Sequence, residues 1–380
     1  MKLREGDKIK IIEVVRGLGL GGMETLLYQR LRYSIEAKLI DSTDTLVINT
    51  YPCQDYFRDK IAALGVSVLE TPSDRRLLSS LYLWKSIQSK SSDGIVVVHS
   101  PFPAAVIKAR AAVKRLPFPI VEVSHNTHYS TPTLALGRVL NRYADLCIAV
   151  SDDVACAETT RGFPRKTVIL AGVDRSAMRR WVEAAAGAAE RMRESLGVVG
   201  DARLVVAVGS LTARKGHRHL LSALAELADA RVHVAIVGEG DQRAALEQQI
   251  RSLGLGNRVH LLGRQGDAWR WTAVSDVLAH PSYHEGLPVA LMEARVLGVP
   301  VVASDVGGAG QVLAGSKCSS LVRPGNVGEL AKAIRCLLGN TKPFFKVFSE
   351  RGIEETPWST SRYSKEFYGA LALAPARAVR

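Results

Sequence analysis

The amino-acid sequence predicts an α/β protein made of two doubly wound, parallel-sheet domains. Three observations carry this expectation. Short β-branched runs alternate with helix-like segments from end to end, the pattern of βαβ units. The alternation comes as two series, separated by an Ala- and charge-rich stretch at 175–200 that has no strand signal. The length, 380 residues, suits two domains of ordinary size.

In the first series, strands are read at 10–15, 44–49, 66–70, 94–99, 119–123, 146–150 and 167–170. Amphipathic stretches at 24–32 and 152–161 lie between them, the second with Ser151 placed as its cap. The second series has strands at 203–208, 232–237, 258–262, 276–280, 299–304 and 319–322, separated by helices near 215–227, 242–253, 288–297 and 328–338. In the tail, Trp358, Tyr363, Phe367 and Tyr368 recur at roughly helical spacing, which predicts a last helix packing back on the body. The expected organisation is an acceptor-side Rossmann-like domain (1–172), a helical connector (173–200), a second Rossmann-like domain (201–345) and a helical segment crossing back (346–380). Two such sheets are expected to face a central cleft, with ligands at the carboxyl ends of the strands.

Composition narrows the function classes. With 47% hydrophobic and 23% charged residues the chain reads as soluble and globular. Residues 1–12 are charged and lack the apolar core of a signal peptide, and the apolar runs around Ile95 and Leu204 are too short to span a bilayer. Cys53, Cys147, Cys156, Cys318 and Cys336 form no CxxC pair, so reduced thiols in a cytoplasmic protein are expected, with no disulfide frame and no zinc site. The net charge of +13 is spread over both halves, which argues against a nucleic-acid-binding domain. Two N-terminal segments are locally basic: 104–116, with Lys108, Arg110, Lys114 and Arg115, and 74–90, where Arg75, Arg76, Lys85 and Lys90 mix with Leu77, Leu78, Leu81, Leu83 and Trp84. They read as solvated faces of surface helices. The alternative is a patch for an anionic acceptor or an acidic lipid surface, giving peripheral contact with the inner face of a membrane.

The most informative segment runs from His280 to Ala294, HPSYHEGLPVALMEA. A strand ends at His280, a loop carries Ser282 to Gly286, and Pro288 stands where a helix would start, a place that suits its missing N–H. The free N–H groups of that turn and the helix dipole make a site for a diphosphate, held by Gly286, Leu287 and Pro288. Glu285 in the loop and Glu293 in the helix could bind sugar and ribose hydroxyls on either side of it, since each carboxylate oxygen accepts hydrogen bonds. Read alone, Glu293 is equally well an exposed helix residue.

Glu285-x7-Glu293 within EGLPVALMEA resembles the signature of glycosyltransferase family 4, retaining enzymes of the GT-B fold. The likeness continues into Val301–Gly308, VVASDVGG, which is similar to that family's next strand and glycine loop. The resemblance implies that Glu285 contacts the transferred sugar and Glu293 the nucleotide ribose. Residues 209–216, GSLTARKG, resemble the family's G-R-L-x3-K-G stretch, which implies that Lys215 holds the donor diphosphate. The family's arginine is Ser210 here, with Arg214 nearby. Gly21-Gly22-Met23-Glu24 resembles the family's GG-x-E loop, where backbone N–H groups approach the donor phosphate and the acceptor. His125, after the strand at 119–123, matches the family's sugar-contacting histidine, while His99 is a further candidate for the cleft.

The resemblance implies a hexosyltransferase (EC 2.4 type) moving a sugar from a nucleotide sugar, UDP being the family's common carrier, to an acceptor hydroxyl. It implies Glu285, His125 and Lys215 as catalytic, no cofactor and no metal, the nucleotide sugar being a substrate. No HExxH, Walker A, GxSxG or DxD motif is present, and Asp152-Asp153 reads as a helix start. Three other readings stand beside it. A nucleotide-sugar epimerase could use the same fold, and a non-catalytic nucleotide-sugar-binding subunit would accommodate Ser210. Gly17, Gly19 and Gly22 fit GxGxxG, but a dinucleotide site needs an acidic residue at the end of the next strand, and that strand ends in Asn49.

Overall fold

The computed structural model describes residues 10–51, 55–72, 76–90, 94–340 and 356–374. The chain divides into two compact units, residues 1–172 with 359–380, and residues 173–358.

The first unit is a parallel sheet of β1 (Lys10–Val15), β2 (Thr45–Asn49), β3 (Ser67–Glu70), β4 (Gly94–Val98), β5 (Ile120–Ser124), β6 (Leu146–Ala149) and β7 (Lys166–Val168). Their order is β3-β2-β1-β4-β5-β6-β7. β2, β4, β5 and β6 are buried at every position, because helices cover both faces. One face packs Ile12, Val14, Ile48, Val96 and Val98 against Leu83 and Ile107, and the other packs Val15 and Val47 against Leu27, Leu31 and Ile61. The last helix, Thr360–Ala372, belongs to this unit and lies on the helix Gly22–Glu36. Ser359 caps it by accepting from Arg362 N, Tyr363 and Phe367 are buried, and Arg362 reaches back to Leu170 O at 2.6 Å. A Cβ on Gly172 would lie 2.1 Å from Ser359 O, so only glycine lets the returning chain pass.

The second unit repeats the plan with β8 (Arg203–Val208), β9 (Val232–Val237), β10 (Val259–Leu261), β11 (Val277–His280), β12 (Val301–Ser304) and β13 (Ser319–Val322). The order is β10-β9-β8-β11-β12-β13, again all parallel. The helices Arg175–Ala184 and Ala186–Glu194, in the stretch expected as a connector, belong to this unit. Arg193 is fully buried, pairs with Asp276 at 3.0 Å and donates to Val274 O and Ala202 O. Asp276 also takes Arg203 at 3.0 Å and Leu204 N at 2.7 Å, which ties the start of β11 to β8.

The strand order places one switch point in each unit, between β1 and β4 and between β8 and β11, where connections leave in opposite directions and ligands gather. Three departures from the expected helix boundaries have a visible backbone cause. The helix expected at 152–161 stops at Cys156, because Ala157 is extended (φ −68°, ψ 155°), and a 3-10 turn follows at Glu158–Thr160; Ser151 caps the shorter helix as expected. Gly216, left-handed at φ 65°, separates a 3-10 turn at Ala213–Lys215 from the helix His217–Leu227. Pro288 is the N-cap of the helix Val289–Val296 rather than part of its first turn, since its ψ of 108° is not helical.

Lys108 corrects the reading of 104–116 as an outward basic face. It turns inward, is buried, and donates to Glu122 at 2.6 Å and Asn141 at 2.7 Å, while Arg110, Lys114 and Arg115 are exposed. Cys53, Arg75, the boundary expected at 345–346, and the side chains of Arg76, Leu77, Leu78 and Lys90 lie outside the described residues. Among the described residues no helix is long and apolar enough to cross a membrane.

Asp276→Ala leaves the buried Arg193 guanidinium without its counter-charge. The expected cost is about 3–5 kcal/mol in the second unit's unfolding free energy, read from the denaturant midpoint. An unchanged midpoint would show that the pair is not what holds the two strands.

Candidate active site

At the second unit's switch point, three loops interlock. Tyr283 N donates to Arg214 O at 2.8 Å, joining the loop after β11 to the loop after β8. Gly308 N donates to Gly286 O at 2.7 Å, joining the loop after β12. A Cβ on Gly307, at φ 52°, would lie 2.2 Å from Glu285 O, so the approach of these backbones depends on glycine.

Glu285 sits at the centre of this arrangement and is buried. Its Oε1 accepts from Lys215 Nζ at 2.6 Å and from His280 Nε2 at 3.0 Å, and Ser282 Oγ lies 3.2 Å from the same His280 nitrogen. Burial pushes the carboxyl upward, but His280 and Lys215 together hold it well below the usual carboxylate range. Burial lowers His280 in turn, so it is neutral and donates its Nε2 proton to the carboxylate. Arg214 adds charge at the rim, donating to His284 O at 3.0 Å with its guanidinium 3.9 Å from Glu285 Oε2. Ser210 is exposed at the end of β8 and supplies no charge of its own.

Glu285 leads directly into Gly286, Leu287 and Pro288, all buried, and so into the helix Val289–Val296. The first N–H groups of a helix have no carbonyl ahead of them, so this turn attracts an anion. Glu293 lies about one turn along the same helix and is 6% exposed, so it is not the solvated helix residue that pattern alone allows. Burial, with a smaller push from Asp267, raises its carboxyl to about 8, so it is protonated at neutral pH. Two glutamates eight positions apart therefore carry opposite protonation states, set by their neighbours.

In the first unit, Gly21 is the extended N-cap of the helix Gly22–Glu36. A Cβ there would meet Glu24 Oε2 at 2.3 Å, because the Glu24 side chain folds back over the helix start. Burial raises Glu24 to about 7. β2 ends in a buried Asn49 whose Oδ1 accepts from Tyr51 N at 3.1 Å, so a dinucleotide site would lack its carboxylate at that strand end. His125 follows β5, is half-buried, and places Nε2 3.2 Å from Nδ1 of His99, which follows β4. Burial above all lowers His125 to about 3, so it is neutral.

Of the residues singled out from sequence, Lys215 and Glu285 are in direct contact, and Gly286, Leu287 and Pro288 continue the same turn. Gly21, Gly22 and His125 belong to the other unit. Sequence reasoning missed His280, Glu13 and Arg30 as polar partners. A histidine closing a strand at a switch point and an acid inside an otherwise apolar strand were the available signals. Among the described residues no three His, Cys, Asp or Glu side chains gather as metal ligands.

Residues 188–354 match the model of the family described as glycosyl transferases group 1. The 2-deoxystreptamine glucosyltransferase of Streptomyces kanamyceticus is 35% identical over 198 residues, half of this chain and half of that protein. The putative glycosyltransferase EpsF of Bacillus subtilis (strain 168) is 24% identical over 312 residues, 78% of this chain and 79% of EpsF. The chain spans about half the length, or less, of most curated relatives it matches. Among solved structures, Anabaena HepE in complex with UDP-glucose superimposes with a TM-score of 0.78 at 23% identity, over 96% of this chain and 99% of that one. Residues 188–354 thus match the glycosyl transferases group 1 family, and the chain has the GT-B fold of two parallel-sheet α/β domains.

Proposed function

We propose that this protein transfers a sugar from a nucleoside-diphosphate sugar, with UDP as carrier, to an acceptor hydroxyl, with retention of configuration. The observation that carries the reading is Glu285, a buried carboxylate kept ionised by Lys215 and His280 on the turn that opens the helix Val289–Val296. A carboxylate held in this way is a fixed acceptor for sugar hydroxyls, beside a turn that favours a diphosphate. The UDP-glucose in the HepE crystal structure supports the choice of carrier.

In this mechanism the bond from the sugar's anomeric carbon to the diphosphate oxygen breaks and the leaving diphosphate keeps the electron pair. Lys215, Arg214 and the N–H groups of the turn stabilise the charge that builds there, so the reaction is read as metal-independent. The acceptor oxygen attacks from the same face, and its proton passes to the departing phosphate oxygen. Glu285 orients the transferred sugar and Glu293 binds the ribose. Gly21 and Gly22 offer backbone N–H groups to the phosphate and acceptor, and His125 contacts the sugar. A cavity of about 570 Å³ in the first unit, lined by Arg16, Tyr51, Phe102, Lys108, Glu122 and Tyr129 among others, is the candidate place for the acceptor.

Glu285→Ala is expected to lower kcat by about 10²–10³-fold. UDP affinity should hold or tighten, because Lys215 loses its competing partner. Calorimetry beside a radiolabelled-sugar transfer assay checks both, and full turnover in the variant would sink the assignment.

Glu293 gives a pH signature. Its carboxyl sits at about 8 in the free protein, and ribose hydroxyls donating to it favour the charged form. Binding a UDP-sugar, whose phosphates do not titrate near neutrality, should therefore release a proton at pH 7. Affinity should rise with pH up to about 8, by at most about tenfold per unit. Calorimetry in buffers of different ionisation enthalpy measures the release, and Glu293→Gln should abolish it. Equal proton release in both proteins would separate Glu293 from the ribose.

A further inference from the structure

A chain of polar side chains crosses the interior of the first unit from its last helix to His125. Arg30, fully buried, donates to Tyr368 Oη at 2.8 Å and lies 3.8 Å over the ring of Phe367. Its Nη2 donates to Glu13 Oε1 at 2.7 Å. Glu13, inside β1 and fully buried, takes His99 Nε2 on its other oxygen at 2.7 Å. His99 Nδ1 then meets His125 Nε2 at 3.2 Å, with ring centroids 5.4 Å apart and ring planes inclined by 30°. Glu13, His99 and His125 thus come from three adjacent strands, β1, β4 and β5, or the residues that follow them.

One order of donors along this chain leaves no buried charge unpaired. Glu13 is a carboxylate already balanced by Arg30, so it can only accept. In that order a single proton of His99, on Nε2, is donated to Glu13, and no second cation joins Arg30 beside the one carboxylate. Its Nδ1 is then a lone pair, and His125 must donate to it from Nε2.

We propose that Glu13 and His99 are positioning residues that fix His125 as its Nε2–H tautomer, leaving Nδ1 as an acceptor for a substrate hydroxyl. The substrate part of this rests on the transferase reading of His125; the tautomer does not. A donor at Nδ1 would suit a phosphate or a carbonyl, whereas a lone pair there suits the hydroxyl groups of a sugar.

The test is the tautomer state of His125 in the full-length protein labelled with ¹⁵N-histidine, from two-bond ¹H–¹⁵N spectra assigned with His125→Gln and His99→Gln. In the unsubstituted protein, Nε2 of His125 should be protonated and Nδ1 bare; a protonated Nδ1 overturns the proposal. In Glu13→Gln, Arg30 keeps the amide oxygen on its own side, so the NH₂ faces His99 and both histidines should switch to Nδ1–H. A folded Glu13→Gln protein with unswitched histidines also overturns it. Should that variant not fold, His99→Phe decides, because His125 should then lose its tautomer bias, and a retained bias contradicts the proposal. In a turnover assay, the switched tautomer should lower kcat while KM for the nucleotide sugar is unchanged. The spectra need no substrate, so a failed transferase reading would leave the tautomer result standing.

Discussion

The site depends on how a buried negative charge is kept at the end of a parallel sheet. Glu285 is nearly out of water, and an isolated carboxylate there would protonate. It stays charged because Lys215 and His280 converge on one of its oxygens from the loop after β8 and the end of β11. Holding that charge requires the loops to stay where they are, and the backbone bonds through Tyr283 and Gly308 and the bare Cα of Gly307 do this. The electrostatics of the site and the packing of its loops are therefore one constraint.

The same plan is used twice. In each unit the strand order reverses beside the first strand, and a cluster of charged or polar side chains collects next to that reversal. In the second unit it is Lys215, His280 and Glu285, and in the first it is Arg30, Glu13, His99 and His125. The two clusters differ in depth. Glu285 lies in a loop, whereas Glu13 lies inside a strand and needs a guanidinium from the neighbouring helix to be tolerated. The last helix secures that guanidinium through Tyr368 and Phe367, which gives the tail aromatics a second task beyond packing.

Much of the fold is legible in the sequence because its central strands are buried on both faces and read as mostly apolar runs. β1, β8, β9 and β13 have the expected bounds, and the other strands shift by one or two residues. Helix ends are less legible, since they depend on single backbone angles at Ala157, Gly216 and Pro288 that composition does not reveal. The site divides in the same way. Glu285, Glu293 and Lys215 stand in recognisable local patterns. The protonation states of the two glutamates do not, because they come from burial and from partners such as His280 and Asp267. Arg30 and Tyr368 meet across 338 positions, and no local pattern announces such a pair.

The central claim is that a nucleotide sugar binds the second unit at the turn between Glu285 and Glu293. A crystal structure of the protein with a UDP-sugar tests it most directly. The diphosphate is expected over the N-terminus of the helix Val289–Val296, the ribose on Glu293, and Lys215 reaching the phosphate. A nucleotide bound instead at the glycine loop ahead of the helix Gly22–Glu36, with Glu285 and Glu293 untouched, would contradict it.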